Sequence, residues 1–519
     1  MVHDCDVSQA KTLRYLFPGM IMSARVSTCS FRFLALAALL ALTSPAAPRA
    51  ADNVAIGNLT FVNKGLVGVG RLPADLRDKF GETFGSGSSL AFDPKSWTRT
   101  ATGYQGTLFT LPDRGYNVSG TTDYRARLNT LSITFTPRAD PTALPVAERQ
   151  NTVAATLTDT MLLTDANGEP LTGLDPVEGG IRAAANGFPD LPQASNGRVS
   201  VDTESLALLP DGSFFIGDEY GPYIYRFSAA GRMLAAIRPP EAFIPKRKGK
   251  DNFSSNNPGP GASAPEPPNP ERGRSNNQGF EGLSVTPGGR FLVAVLQSAT
   301  RQDGGDGRER RHARLVIYDL TDLGIDRPRL VREHIVPLPV FESADGKTQV
   351  AAQSELLALD ENHFFLLCRD GGNGYGTDGA TSRYRHVELL DTSQATNIAG
   401  SPYDGNIPVA PKGKLADGIV PATLTPFIDL NDNTQLAKFG LHNGEPNDRN
   451  NLSEKWEGMV LAPALDPASP RDFFLFIMND NDFITQNGYQ VGAAYKDASG
   501  VDVDSMLLVY RITLPEQLK

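Results

Sequence analysis

The feature that most constrains this chain is a repeated module. A carboxylate opens an alternating apolar strand, a tight turn follows, and a second strand ends in acidic or amide residues. Four copies are plain: ESLALLPDGSFFIGDEYG from Glu204, EGLSVTPGGRFLVAVLQS from Glu281, ELLALDENHFFLLCRDGG from Glu355 and EGMVLAPALDPASPRDFFLFIMNDND from Glu457. A weaker copy, SSLAFDPKSWTRTATGYQGTLFTLPDRG, begins at Ser88, with serine in place of glutamate. Turn formers join the strand pairs at Pro210-Asp211-Gly212, Pro287-Gly288-Gly289 and Asp360-Glu361-Asn362, and such residues favour tight reversals. Third strands follow at Tyr223–Phe227, Arg314–Asp319, Arg385–Leu390 and Met506–Ile512, and fourth strands at Met233–Ile237 and Leu330–Val336.

A lone sheet of three or four strands cannot bury both of its faces, and packing several such sheets radially solves this for all of them at once. The pattern therefore predicts an all-β chain folded as a β-propeller of five or six antiparallel blades. A sixth blade would have to come from 137–200 or 392–450, which are poorly patterned. Asn58–Asn63 (NLTFVN) is placed to supply the outer strand of the last blade and close the ring. A β-sandwich would leave the recurring glutamate without a reason.

The apolar run Phe31–Leu42 follows Arg25 and precedes a zone of small residues, the order of a secretory signal. It is short for a membrane span. Residues 1–51 are thus expected to be a signal peptide with an over-extended start, Met20 and Met22 both being plausible initiators. Residues 52–519 are then a single domain, and no later segment is long and apolar enough to cross a membrane. Such a protein is periplasmic or secreted. Within the domain, 246–278 carries almost no apolar residues and reads as a mobile insertion loop, and the basic stretch Arg301–Arg314 reads as a solvated loop. Cys5 and Cys29 lie in the leader, so Cys368 alone remains and no intramolecular disulfide can form.

The formal charge is −10, and without residues 1–50 the balance is 44 basic against 57 acidic residues, or −13. An acidic chain repels phosphate backbones, which argues against a nucleic-acid partner. Converging carboxylates would instead attract divalent cations. In a propeller the first strand of each blade lines the central channel, so Glu204, Glu281, Glu355 and Glu457 are expected to form a ring at one mouth. Two readings stay open: the ring holds a cation, or each glutamate caps backbone amides between blades. The second strands end in Asp113-Arg114-Gly115, Asp218-Glu219-Tyr220, Arg369-Asp370-Gly371 and Asp480-Asn481-Asp482, which offer further oxygen ligands. Arg114 and Arg369 have the chemistry to hold an anionic ester. The sequence contains no HExxH, no G-x-S-x-G and no phosphate-binding glycine loop.

The phrases FEGLSVTPGGRFLVAVLQ from Phe280, GDEYGPYIYRF from Gly217, SELLAL from Ser354, and WEGMVLAP with NDNDF further on resemble the bacterial phytase-like family, described by an "esterase-like activity of phytase" domain. The resemblance runs from about residue 55 to 515. It implies a propeller, and phosphoric-ester hydrolysis of the kind seen in calcium-dependent propeller phytases, where acidic channel residues bind several calcium ions. On that basis Ca2+ is the expected cofactor and a small-molecule ester the expected substrate. Glu204, Asp218, Glu281, Glu355, Asp370, Glu457, Asp480 and Asp482 are the expected metal ligands. Arg114, Arg369 and Glu219 are the expected catalytic groups. Serine at 88 and Gln297 depart from the acidic pattern, and no dense Lys–Arg cluster suits phytate. A non-catalytic binding or scaffolding propeller, and a carboxylic-ester or lactone hydrolase, are the alternative functions.

Overall fold

Five antiparallel sheets of four or five strands, each with its first strand innermost, form the blades of the domain. A computed structural model describes residues 53–518 apart from Ser86, Val118, 305–309, Leu323 and Ile325. The predicted signal peptide lies outside the described residues. Blade one comprises Ser89–Phe92, Tyr104–Leu111, Arg127–Phe135 and Val153–Leu162, and blade two Thr203–Leu208, Phe214–Asp218, Ile224–Phe227 and Met233–Ile237. Blade three comprises Phe280–Val285, Phe291–Leu296, His312–Asp319 and Arg329–Pro337, and blade four Ala352–Ala358, His363–Arg369, Arg385–Asp391 and Thr423–Asp429. Blade five joins Lys455–Pro463, Asp472–Asp480 and Ser505–Thr513 to the N-terminal strand Leu59–Leu72.

The blade count is five. The stretches considered for a sixth blade instead carry the outer strands Val153–Leu162 and Thr423–Asp429, with long connections around them. The N-terminal strand closes the ring as the sequence predicts: Val62 pairs with Thr513 and Leu72 with Ser505. This joins the two ends of the domain in one sheet.

Burial explains the radial order. Each junction between neighbouring blades holds its own apolar core. Between blades five and one, Trp97 stacks on Tyr104 with centroids 5.2 Å apart and donates from its indole nitrogen to the carbonyl of Pro463 at 2.8 Å. Cys368 is buried between blades three and four.

The segment 246–278, expected to be mobile, is fastened by guanidinium groups and by Phe253, which is buried in the core between blades one and two. Arg247 donates to the carbonyls of Ser254, Pro267 and Pro268, and the fully buried Arg274 to those of Tyr220 and Phe253. The basic stretch 301–314 ends differently from a solvated loop. Arg314 lies in a blade-three strand, wholly buried between Asp303 and Glu333 at 2.6 Å each.

Candidate metal centre at the channel mouth

A β-bulge sets the direction of the acidic side chains. In blades two, three and five the pairing of the first two strands skips one residue, and that residue is Glu204, Glu281 and Glu457 in turn. In blade one the amides of Gly87 and Ser88 both donate to the carbonyl of Leu111 at 3.2 Å, which puts Ser88 at the same place. A bulge leaves its extra residue unpaired and re-aims the side chain, here toward the axis. One residue beyond the pair that flanks the bulge, the second strand carries Glu219, Gln297, Arg369 and Asp480 in blades two to five, and Asp113, two residues past Leu111, stands at the corresponding place in blade one. The two sets interleave at one mouth: Gln297 donates to Glu281, Arg369 to Glu457, and Ser88 to Asp480. Gly279 lets the first strand of blade three pass this point, since a Cβ there would lie 2.4 Å from the Cα of Glu219.

Two carboxylate triads result. One oxygen each from Asp113, Asp480 and Asp482, and one each from Asp113, Asp202 and Glu204, lie within 4.8 Å of one another. Asp113 belongs to both. Three cations face this acid. Lys455 bonds Asp482 at 2.7 Å, Arg114 bonds Asp202 at 2.9 Å, and Arg369 pairs with Glu457. Against them stand eight carboxylates: Asp113, Asp202, Glu204, Glu219, Glu281, Glu457, Asp480 and Asp482. Both oxygens of Glu219 and the Oε2 atoms of Glu281 and Glu457 are buried without a hydrogen-bond donor.

So much unneutralised charge away from water is costly. Burial and then the nearby Asp202 push Asp113 up to about 7, and the same two causes push Glu219 up to about 8. Glu204, Glu281 and Asp480 are raised well above the usual carboxylate range, burial again coming first. Burial opposes the charge on Lys455, yet Asp482, Glu457, Asp480 and Asp113 together hold it above the ordinary lysine value. Clustered, donor-poor carboxylate oxygens are what a hard divalent cation takes as ligands, and on this donor set the residues fit one.

The sequence profile described as "Phytase-like: esterase-like activity of phytase" matches residues 82–483, a span holding every group named at the mouth. The chain belongs to the phytase-like family. It is also 37% identical over 511 residues to an "Uncharacterized secreted protein" of Arthroderma benhamiae, an alignment covering 89% of this chain and 97% of the relative.

Not every acidic residue expected at this phytase-like mouth is there. Glu355 is displaced by one residue from the repeat. The skipped residue of blade four is Ser354, and Glu355 matches Ser89, Ser205, Gly282 and Gly458 of the other blades. It therefore points the other way. Its carboxyl crosses the channel to blade one, accepting from Ser89 Oγ at 2.6 Å, and also accepts from the amide of Leu356 at 2.9 Å. Ser89 Oγ in turn accepts from the amide of Leu206 at 3.0 Å. Glu355 is thus the inter-blade staple that was the second reading of the glutamates, capping backbone groups on the unpaired edges of inner strands.

Asp218 and Asp370 are likewise used locally. Asp218 accepts from the amides of Asp202, Tyr220 and Gly221 at 2.8–3.1 Å. Asp370 accepts from Ser382 Oγ and the amide of Arg383, each at 2.7 Å. Of the expected ligands, the fold brings together Glu204, Glu281, Glu457, Asp480 and Asp482, with Glu219, Arg114 and Arg369 beside them. Asp113, one of the further oxygen ligands that the strand ends offer, joins both triads, whereas Asp202 and Lys455 are not marked by the repeat. Asp202 and Lys455 each sit two residues before a bulge glutamate, in DTE and KWE, a spacing that places both residues on one face of a strand only where no bulge intervenes.

Proposed function

We propose that this protein is an exported, calcium-dependent phosphoric-ester hydrolase working at the acidic mouth of the propeller. The observation that carries the proposal is the pair of carboxylate triads sharing Asp113, next to buried carboxylate oxygens that have no donor. Asp113, Asp202, Glu204, Asp480 and Asp482 would hold the cation, with Glu281 and Glu457 at its flank. A bound divalent cation supplies Lewis acidity toward an ester oxygen. Glu219 keeps its proton at neutral pH and so can give it to a leaving alkoxide. Arg114 and Arg369 are the groups suited to orient the ester oxygens. Export is supported by the secreted relative and by the leader-like residues 1–51, and no helix among the described residues is long and apolar enough to cross a membrane.

A specific observation favours a second reading, hydrolysis of a carboxylic ester or lactone. The three cations of the mouth are each already paired with a carboxylate, which leaves less positive charge to offset a phosphate dianion, a demand that an uncharged ester does not make. Turnover of aryl phosphates, phytate and aryl acetates, measured with calcium and then with chelator, decides between them. Calcium-dependent release from aryl phosphate supports the first reading, and release from aryl acetate alone supports the second. Activity indifferent to chelation overturns the metal site. Calcium binding with no turnover on any ester leaves a binding propeller.

A further inference from the structure

The channel end opposite the acidic mouth opens into an apolar funnel of about 930 Å3. All five inner strands end in it. Each leaves one apolar side chain only half-buried there: Phe92, Leu208, Val285, Leu357 and Leu461. Each of these side chains also packs against the core of a neighbouring blade junction, so only part of its apolar surface faces the funnel. Glu355, bonded across the axis to Ser89, stands at the inner end of the funnel and separates it from the acidic mouth.

The funnel carries two basic groups, Arg471 and Lys95, and two acids, Asp93 and Glu355, each of which already accepts a hydrogen bond from its own surroundings. Arg471 ties the C-terminal tail into the wall, donating from Nη2 to the carbonyls of Pro515 and Leu518, while its Nε is buried with no partner. Lys95 also lines the funnel, its ammonium resting on the carbonyl of Pro210 at 3.0 Å. The neighbouring Asp93 accepts from the backbone amide of Lys95. A largely apolar cavity of this size with a few convergent polar groups is the usual form of a small-molecule site. An apolar surface of this extent kept open on an exported protein has a use.

We infer that the funnel binds an amphiphilic anion, its aliphatic chain against the ring of five apolar side chains and its head toward Arg471 and Lys95. The site is independent of the acidic mouth and needs no metal.

The test is displacement of 1-anilinonaphthalene-8-sulfonate from the purified protein by dodecanoate and by dodecanol, with calcium and with chelator. Dodecanoate should displace the probe more strongly than dodecanol, equally in both conditions. Arg471→Gln should weaken dodecanoate about tenfold, the loss of one charge-assisted contact, and leave dodecanol unchanged. Leu357→Trp, which fills the funnel, should abolish binding of both. Because Arg471→Gln also loosens the tail, Lys95→Gln serves as a second variant that leaves the tail bonds intact and should weaken dodecanoate alone. Cosedimentation with phosphatidylglycerol vesicles identifies a membrane lipid as the source of the anion, and its absence with dodecanoate bound identifies a free amphiphile. No displacement, displacement unaffected by Leu357→Trp, or a self-associating protein whose dimer is lost in that variant without any amphiphile binding would overturn the inference.

Discussion

Asp113 is the residue on which the metal centre can be tested most sharply, because it belongs to both triads. Burial and the neighbouring Asp202 push its carboxyl up to about 7 in the folded chain, against 3.8 as its ordinary value. A carboxyl raised in this way favours folding while both states are protonated, below the ordinary value. That contribution is lost as pH climbs through the folded value. At pH 5 the folded group is still protonated and the unfolded one ionised, so part of the cost is already present. From pH 5 to 8 a further two units or so are lost, about 3 kcal/mol at ~1.4 kcal/mol per unit. With ~2 cal/mol/K per residue over roughly 470 residues, the unfolding entropy is ~1 kcal/mol/K, so the shift is about 3 °C in Tm. Glu219, Asp218, Glu333 and Glu388 are also raised, to between about 7 and 8, and titrate with the same sign. The share of Asp113 is therefore read as the difference between the wild type and Asp113→Asn.

The assay is thermal unfolding of both proteins at pH 5 and pH 8, in chelator and in calcium. Chelated wild type should lose stability between the two pH values, and Asp113→Asn should lose about 3 °C less. Calcium at a hundred times its Kd should restore about 2.7 kcal/mol to the wild type at pH 8 and much less to the variant. A chelated wild type whose Tm is flat or rises from pH 5 to 8, with the variant superimposed on it, would refute the electrostatic account of the mouth.

Removing Arg369 as Arg369→Met leaves Glu457 buried beside Glu281 without its counter-charge. Denaturation in chelator should show a loss of about 3–5 kcal/mol, partly recovered by calcium. Glu355→Ala strips Ser89 and the amide of Leu356 of their acceptor and should cost about 2–4 kcal/mol, while calcium affinity measured by calorimetry stays unchanged. An altered affinity would place Glu355 in the site after all. Trp97→Ala empties the core between blades five and one and should cost about 3–5 kcal/mol in urea unfolding. Gly279→Ala forces a methyl against the Glu219 backbone, and the variant should lose both stability and ester turnover, whereas full activity would show that the position of Glu219 is unimportant.

Much of this protein is written in its strands. The five strand pairs, their turns and the closing strand at Leu59 follow from apolar alternation and turn chemistry, because a small two-faced sheet has few ways to bury itself. Only the tertiary structure decided which acids meet. SELLAL opens with the first two letters of ESLALL exchanged, yet side chains alternate with period two, so that exchange turns Glu355 from the mouth into the channel wall. The bulges that aim Glu204, Glu281 and Glu457 at one point leave no local mark in the sequence. Asp113, Asp202 and Lys455 converge with them only because three separate blades meet at the axis. Local pattern fixes the blades, whereas the charge balance at the mouth is a sum over residues that come together only once the ring has closed.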